Sequence, residues 1–141
     1  MDIADLRQKA ESGSVVAQSV LGACYLDGID VAVNYKEAFR LLTGAANRGA
    51  ARAAANLARM YAEGLGVPKD IAKAIRLYEQ AAKAGEFLAQ VELGRIYSRG
   101  LGVPTNPKAA LIWYSDAAAQ EGRVDDCEEL KEAKAYVARA T

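Results

Sequence analysis

Shifted by 36 residues, the chain superposes on itself, and a sequence repeating at this period is confined to architectures that stack one small unit. Leu21-Gly22, Leu57-Ala58 and Leu93-Gly94 align, as do Tyr25, Tyr61 and Tyr97, then Gly28, Gly64 and Gly100. The register continues through Val31, Val67 and Val103, through Asn34, Asp70 and Asn106, and through Ala38, Ala74 and Ala110. It closes on the alanine pairs Ala45-Ala46, Ala81-Ala82 and Ala117-Ala118. Two loops are nearly identical, Gly64-Leu65-Gly66-Val67-Pro68 and Gly100-Leu101-Gly102-Val103-Pro104. Gly49 and Gly85 keep the spacing but the third copy has Gly122, so one extra residue is expected near Gln120-Glu121.

Within each unit the apolar residues fall at helical spacing, as in Ala17, Leu21 and Tyr25, or in Ala74, Leu77, Tyr78, Ala81 and Ala82. Each unit therefore reads as two helices. The glycine after the first suits a left-handed C-cap, and Asn34, Asp70 or Asn106 offers an oxygen to the free amides opening the second. Pro107 follows Asn106 directly, at the first helical turn, where proline is tolerated. Leu6, Ala10 and Gly13 match Leu42, Ala46 and Gly49, so the chain opens inside a second helix. It closes in a first helix whose polar segment, Asp125 to Glu132, suits a terminal cap. The expected fold is all-α: a right-handed α–α superhelical solenoid of about three two-helix repeats with partial capping helices, about eight helices in all. The expected organisation is a single domain over 1–141, with full repeats at 13–48, 49–84 and 85–122 and flanking helices at 2–12 and 123–139.

Composition narrows the chemistry. The 141 residues are 52% hydrophobic and carry 18 basic and 18 acidic side chains, an ordinary globular balance without the basic excess of a phosphate-neutralising nucleic-acid binder. No histidine is present, which removes Ser-His-Asp and Cys-His catalysis and any His-ligated zinc or iron. The expectation is a non-enzyme with no cofactor and no metal. The glycine loops lack a preceding strand and the Gly-Lys-Ser/Thr ending of phosphate-binding loops, so they read as turns. No stretch approaches the length of a membrane span, and the acidic start Met1-Asp2-Ile3 carries no apolar leader, so a cytoplasmic location is expected. Cys24 and Cys127 lie about a hundred positions apart and read as unpaired thiols.

The unit Ala-x3-Leu-Gly-x2-Tyr-x2-Gly-x2-Val, followed by Ala and then Ala-Ala-x2-Gly, resembles the Sel-1-like repeat, a relative of the tetratricopeptide repeat. Residues 53–85 and 89–122 carry nearly every signature position, whereas the first copy has Gly28-Ile29-Asp30-Val31-Ala32 in place of the Gly-x-Gly-Val-Pro loop. The resemblance implies an adaptor or scaffold that binds a peptide or protein along the concave face of the solenoid. By analogy with tetratricopeptide grooves, that face is assigned to Ser19, Ala23, Leu26 and Asp27 in the first copy and to Arg52, Ala55, Arg59 and Glu63 in the second. Val91, Arg95 and Arg99 follow in the third, with Glu128 and Glu132 on the capping helix. Arg59 and Arg95 are expected to stack along the groove and, with Arg52 and Arg99, to grip an acidic partner bidentately. The opposing reading is a solvated face whose arginines pair locally, as Arg59 can with Glu63 one turn away. A stoichiometric inhibitor or immunity protein for a toxin is the alternative function. A β-lactam-related hydrolase is a remote one, because the cysteine-rich subset of the family holds disulfides where this chain has Ala46, Ala53, Ala82 and Ala89. Self-association through the helix ends of so short a solenoid is a further expectation.

Overall fold

A computed structural model describes residues 2–120 and 127–141. Among them are eight α-helices and no strand: α1 (Ile3–Glu11), α2 (Val15–Asp27), α3 (Tyr35–Asn47), α4 (Ala51–Glu63), α5 (Ile71–Lys83), α6 (Phe87–Arg99), α7 (Pro107–Ala118) and α8 (Glu128–Ala140). None is long and apolar enough to cross a membrane. The extra residue expected near Gln120-Glu121, Gly122 and the Asp125-Asp126 part of the acidic segment fall at or within 121–126, outside the described residues.

The repeat has a local cause at each turn. Gly28, Gly64 and Gly100 end α2, α4 and α6 at φ of 69°, 68° and 68°, the left-handed region where a Cβ is penalised. The next amide reaches back five residues, Ile29 to the Cys24 carbonyl, Leu65 to Met60 and Leu101 to Ile96, and so satisfies carbonyls the helix end leaves open. The amides of Asn34, Asp70 and Asn106 donate to the carbonyls of Tyr25, Tyr61 and Tyr97 at 2.9, 2.9 and 2.8 Å. Their side chains then accept from the amides of Glu37, Lys73 and Ala109, capping α3, α5 and α7. One residue thus closes the loop with its backbone and opens the next helix with its side chain.

The chain forms two compact units, residues 1–81 and 82–141. In the first, α2 packs on α1, α3 and α4, and α3 packs on α4. Gly22 permits the closest approach, because a Cβ there would stand 2.8 Å from the Leu42 side chain. Gln18 donates to the Ala10 carbonyl at 3.1 Å, and the Arg48 guanidinium to the Gly13 carbonyl at 2.8 Å. In the second unit α6, α7 and α8 pack mutually. Phe87, Val91, Ala110, Tyr114, Ala117, Leu130 and Ala133 make its core, with the Tyr114 and Tyr136 rings 4.7 Å apart. Gly94 repeats the role of Gly22, a Cβ there meeting the Tyr114 ring at 2.8 Å. Gln90 donates to the Ala82 carbonyl, as Gln18 does to Ala10, and Gln120 donates to the Gly85 carbonyl at 2.8 Å.

Candidate functional site

The first-helix residues assigned to binding divide by burial. Ser19 and Val91 are 7% and 0% exposed, as is Leu26 at 3%, so they belong to the interior and no partner reaches them. The reason is that α2 and α6 are buried on more than one side: Ala17, Ser19, Leu21, Gly22, Cys24 and Leu26 in α2, and Phe87, Ala89, Gln90, Val91, Leu93, Gly94 and Ile96 in α6. A helix buried on more than one side has no single outward face to read from periodicity. Ala23 and Ala55 are half-buried, and Asp27, Arg52, Glu63, Arg99 and Glu128 are exposed.

In the first unit Arg52, Ala55, Arg59 and Glu63 fall at three- and four-residue steps along α4 and share a face. The Arg59 guanidinium donates to the Asp27 carboxylate of α2, and its Nε lies 3.5 Å from Glu63 Oε2. Arg52 makes no ion pair among the described residues.

In the second unit the pairing is denser. The Arg95 Nε donates to Glu132 Oε2 at 2.8 Å, and its terminal nitrogens meet Glu132 at 2.7 Å and Glu92 Oε1 at 2.6 Å. The other oxygen of Glu132 accepts from Arg99 at 2.8 Å, and the Tyr114 hydroxyl stands 3.4 Å from it. Hydrogen bonding to Glu132 holds the Arg95 guanidinium well above its ordinary pKa, against the opposing effect of burial. Arg95 and Glu132 are 26% and 23% exposed, so this pair is screened less by solvent than the one at Arg59. Burial raises the pKa of Tyr114, and the charge of Glu132 adds to the effect. Glu128 pairs with Lys131 at 3.4 Å.

In neither unit, therefore, is the first-helix face a bare cationic strip. Arg59, Arg95 and Arg99 are each engaged by a carboxylate of the chain itself, in pairs that the sequence showed only for Arg59 and Glu63. Glu92 and Asp27 as partners were missed, although the three-residue step from Glu92 to Arg95 was a readable signal. Among the described residues no cluster of three or more potential metal ligands occurs, and neither cysteine is part of a disulfide. Cys24 is buried, which raises its pKa and disfavours the nucleophilic thiolate.

A helical-hairpin repeat with glycine C-caps, Asx N-caps and small residues at the helix crossings defines a tetratricopeptide-like class. Within it, the Sel1 repeat model matches residues 15–49, 51–86 and 88–121, and the chain belongs to the Sel1 repeat family. It is similar to a Sel1 repeat protein from Oxalobacter formigenes, at 41% identity over 98% of both chains with a TM-score of 0.76. It is also similar to a protective antigen of uropathogenic Escherichia coli strains that displays an SLR fold, at 27% identity and a TM-score of 0.79. That match covers 98% of this chain and 33% of the antigen. No curated protein matches the chain significantly. Sel1 repeat proteins are in general protein–protein interaction modules, and the fold is typically a non-catalytic scaffold.

Proposed function

We propose that this chain is a non-enzymatic adaptor whose protein or peptide partner docks on the faces presented by the first helices. Ala23, Asp27, Arg52, Ala55, Arg59 and Glu63 contribute in the first unit, and Arg95, Arg99, Glu128 and Glu132 in the second. The observation that carries this reading is the threefold Sel1 repeat filling most of the chain. The side chains that hold the fold are buried and apolar, so the charged first-helix positions are free to vary with the partner.

The ion pairs refine what such a partner must do. A carboxylate approaching Arg95 or Arg99 competes with Glu132, so a single acidic side chain gains little there. A partner carrying both signs of charge can exchange pairs with Asp27, Arg59 and Glu63 at small net cost. Arg52 offers a cation that no carboxylate among the described residues engages.

Affinity capture with the full chain, followed by mass spectrometry, tests the reading when run beside a variant carrying Arg52→Glu and Ala55→Glu. Neither side chain is paired among the described residues, and circular dichroism checks that the variant remains helical. The expected result is a protein enriched by the wild type and depleted at least about tenfold by the variant, one buried interface charge reversal being worth 1.4 kcal/mol or more. Equal capture by both chains would place binding elsewhere.

A further inference from the structure

Two grooves of the first unit occupy equivalent positions in successive repeats but differ in charge. One runs between α1 and α3 over α2, and its rim carries Arg7, Glu11, Glu37 and Arg40. That rim is balanced in charge, two cations against two carboxylates: Arg40 pairs with Glu37 at 2.7 Å, and Arg7 donates to the Tyr25 hydroxyl at 3.1 Å. The other lies 36 residues on, between α3 and α5 over α4, with a volume of about 370 Å³. There Thr43, Asn47, Lys73 and Arg76 stand in the places of Arg7, Glu11, Glu37 and Arg40. Two cations and two carboxylates have become two cations and no carboxylate.

The floor of this second groove is apolar and ordered. Leu57, Leu77, Phe39 and Tyr61 line it, the last two rings meeting edge to face with centroids 6.1 Å apart at 78°. The Lys73 ammonium sits 4.9 Å above the Tyr61 ring, which holds its charge at the groove mouth. Asp70 is occupied as the N-cap of α5, and Arg76 is exposed and makes no ion pair among the described residues. Thr43 lines the same groove, and its hydroxyl is buried without a hydrogen-bond partner, a state that ordinarily costs free energy. The groove therefore combines an apolar seat with two cations that no carboxylate of its lining matches.

We propose that the α3–α4–α5 groove binds an acidic peptide segment of a protein partner. An aspartate or glutamate carboxylate lies between Lys73 and Arg76, and a neighbouring apolar side chain rests on Phe39, Leu57, Tyr61 and Leu77. The occupant follows from charge complementarity: the equivalent groove supplies its own carboxylates, and this one leaves them to be brought in. The inference rests on the chain being a protein-interaction module but is independent of the first-helix faces.

An array of nine-residue peptides combining Asp or Glu with Leu or Phe, each beside its Asn or Gln twin, tests it on the full chain. Wild type, a Lys73→Gln, Arg76→Gln double variant and an Arg52→Gln variant are compared, with circular dichroism checking that all three remain helical. Wild type should prefer acidic peptides over their amide twins by about tenfold or more. The preference should vanish in the double variant and survive Arg52→Gln. In the complex, amide resonances of Thr43, Tyr61 and Leu77 should shift most. No preference in the wild type, or a preference that survives the double variant, overturns the groove. Loss confined to Arg52→Gln also overturns it while leaving the first-helix reading standing. Competition by free phosphate alone, with no binding of carboxylate peptides, would make the groove an anion site and contradict the proposal.

Discussion

At the scale of single residues the repeat signature is a record of close approach. Gly22 and Gly94 are glycines because the large side chain of the following helix, Leu42 or Tyr114, lies where a Cβ would be. Tyr114 is 2% exposed, so its ring has little room to retreat. Gly94→Ala should therefore cost about 1–3 kcal/mol, as overpacking of a tight core does. Denaturant unfolding checks this, and a loss below about 0.5 kcal/mol would show that the ring shifts freely. The same burial has a pH consequence. Because the folded state favours the neutral Tyr114 phenol, the stability it contributes is complete below pH about 10 and is lost as pH rises through the raised value. In an alkaline titration followed at 295 nm, Tyr114 should ionise above the ordinary tyrosine range and together with loss of helical signal; complete tyrosine ionisation in a still helical chain would contradict that. Glycines, tyrosines and caps were legible in the sequence because each is the rare residue its position accepts. The burial of Ser19 and Val91 was not, since a serine or a valine fits either side of a helix and only the neighbours decide.

Among the elements, α4 lacks two ties that its repeat counterparts α2 and α6 possess. Ser14 caps α2 through Ala17, and Glu86 caps α6 through Leu88, but the equivalent Ala50 gives α4 no side-chain cap. The position of Gln18 and Gln90, each bonded to the carbonyl eight residues before it, is Ala54 in this helix. Restoring the cap with Ala50→Ser should stabilise the chain by about 0.5–1 kcal/mol and raise Tm by a few degrees. A scanning-calorimetry trace with unchanged or lower Tm would mean the amides at the start of α4 gain nothing from a hydroxyl. Helix order and type were legible because apolar spacing and turn chemistry agree in every copy. Pro107 at the first turn of α7 and Asn106 before it are the plainest case. The ion pairs joining elements were less so: Arg95 to Glu132 and Arg59 to Asp27 cross between helices, and no spacing within one helix announces them.

For the molecule as a whole, sequence repetition determines architecture and leaves recognition to the positions the repeat does not constrain. The 36-residue register predicted helices whose hairpin packing the structure contains, and the family match agrees with it. Binding surfaces arise instead where copies differ. Lys73 in the place of Glu37, and Asn47 in that of Glu11, change a charge-balanced groove into a cationic one without altering a helix. Comparing copies for such differences, rather than for agreement, would have marked that groove from the sequence; the seating of Lys73 over the Tyr61 ring needed the structure. The most direct test of the account is affinity capture with the full chain beside its Arg52→Glu, Ala55→Glu variant. The account predicts a specific protein partner retained by the wild type and depleted at least about tenfold by the variant. A partner captured equally by both folded chains would contradict it.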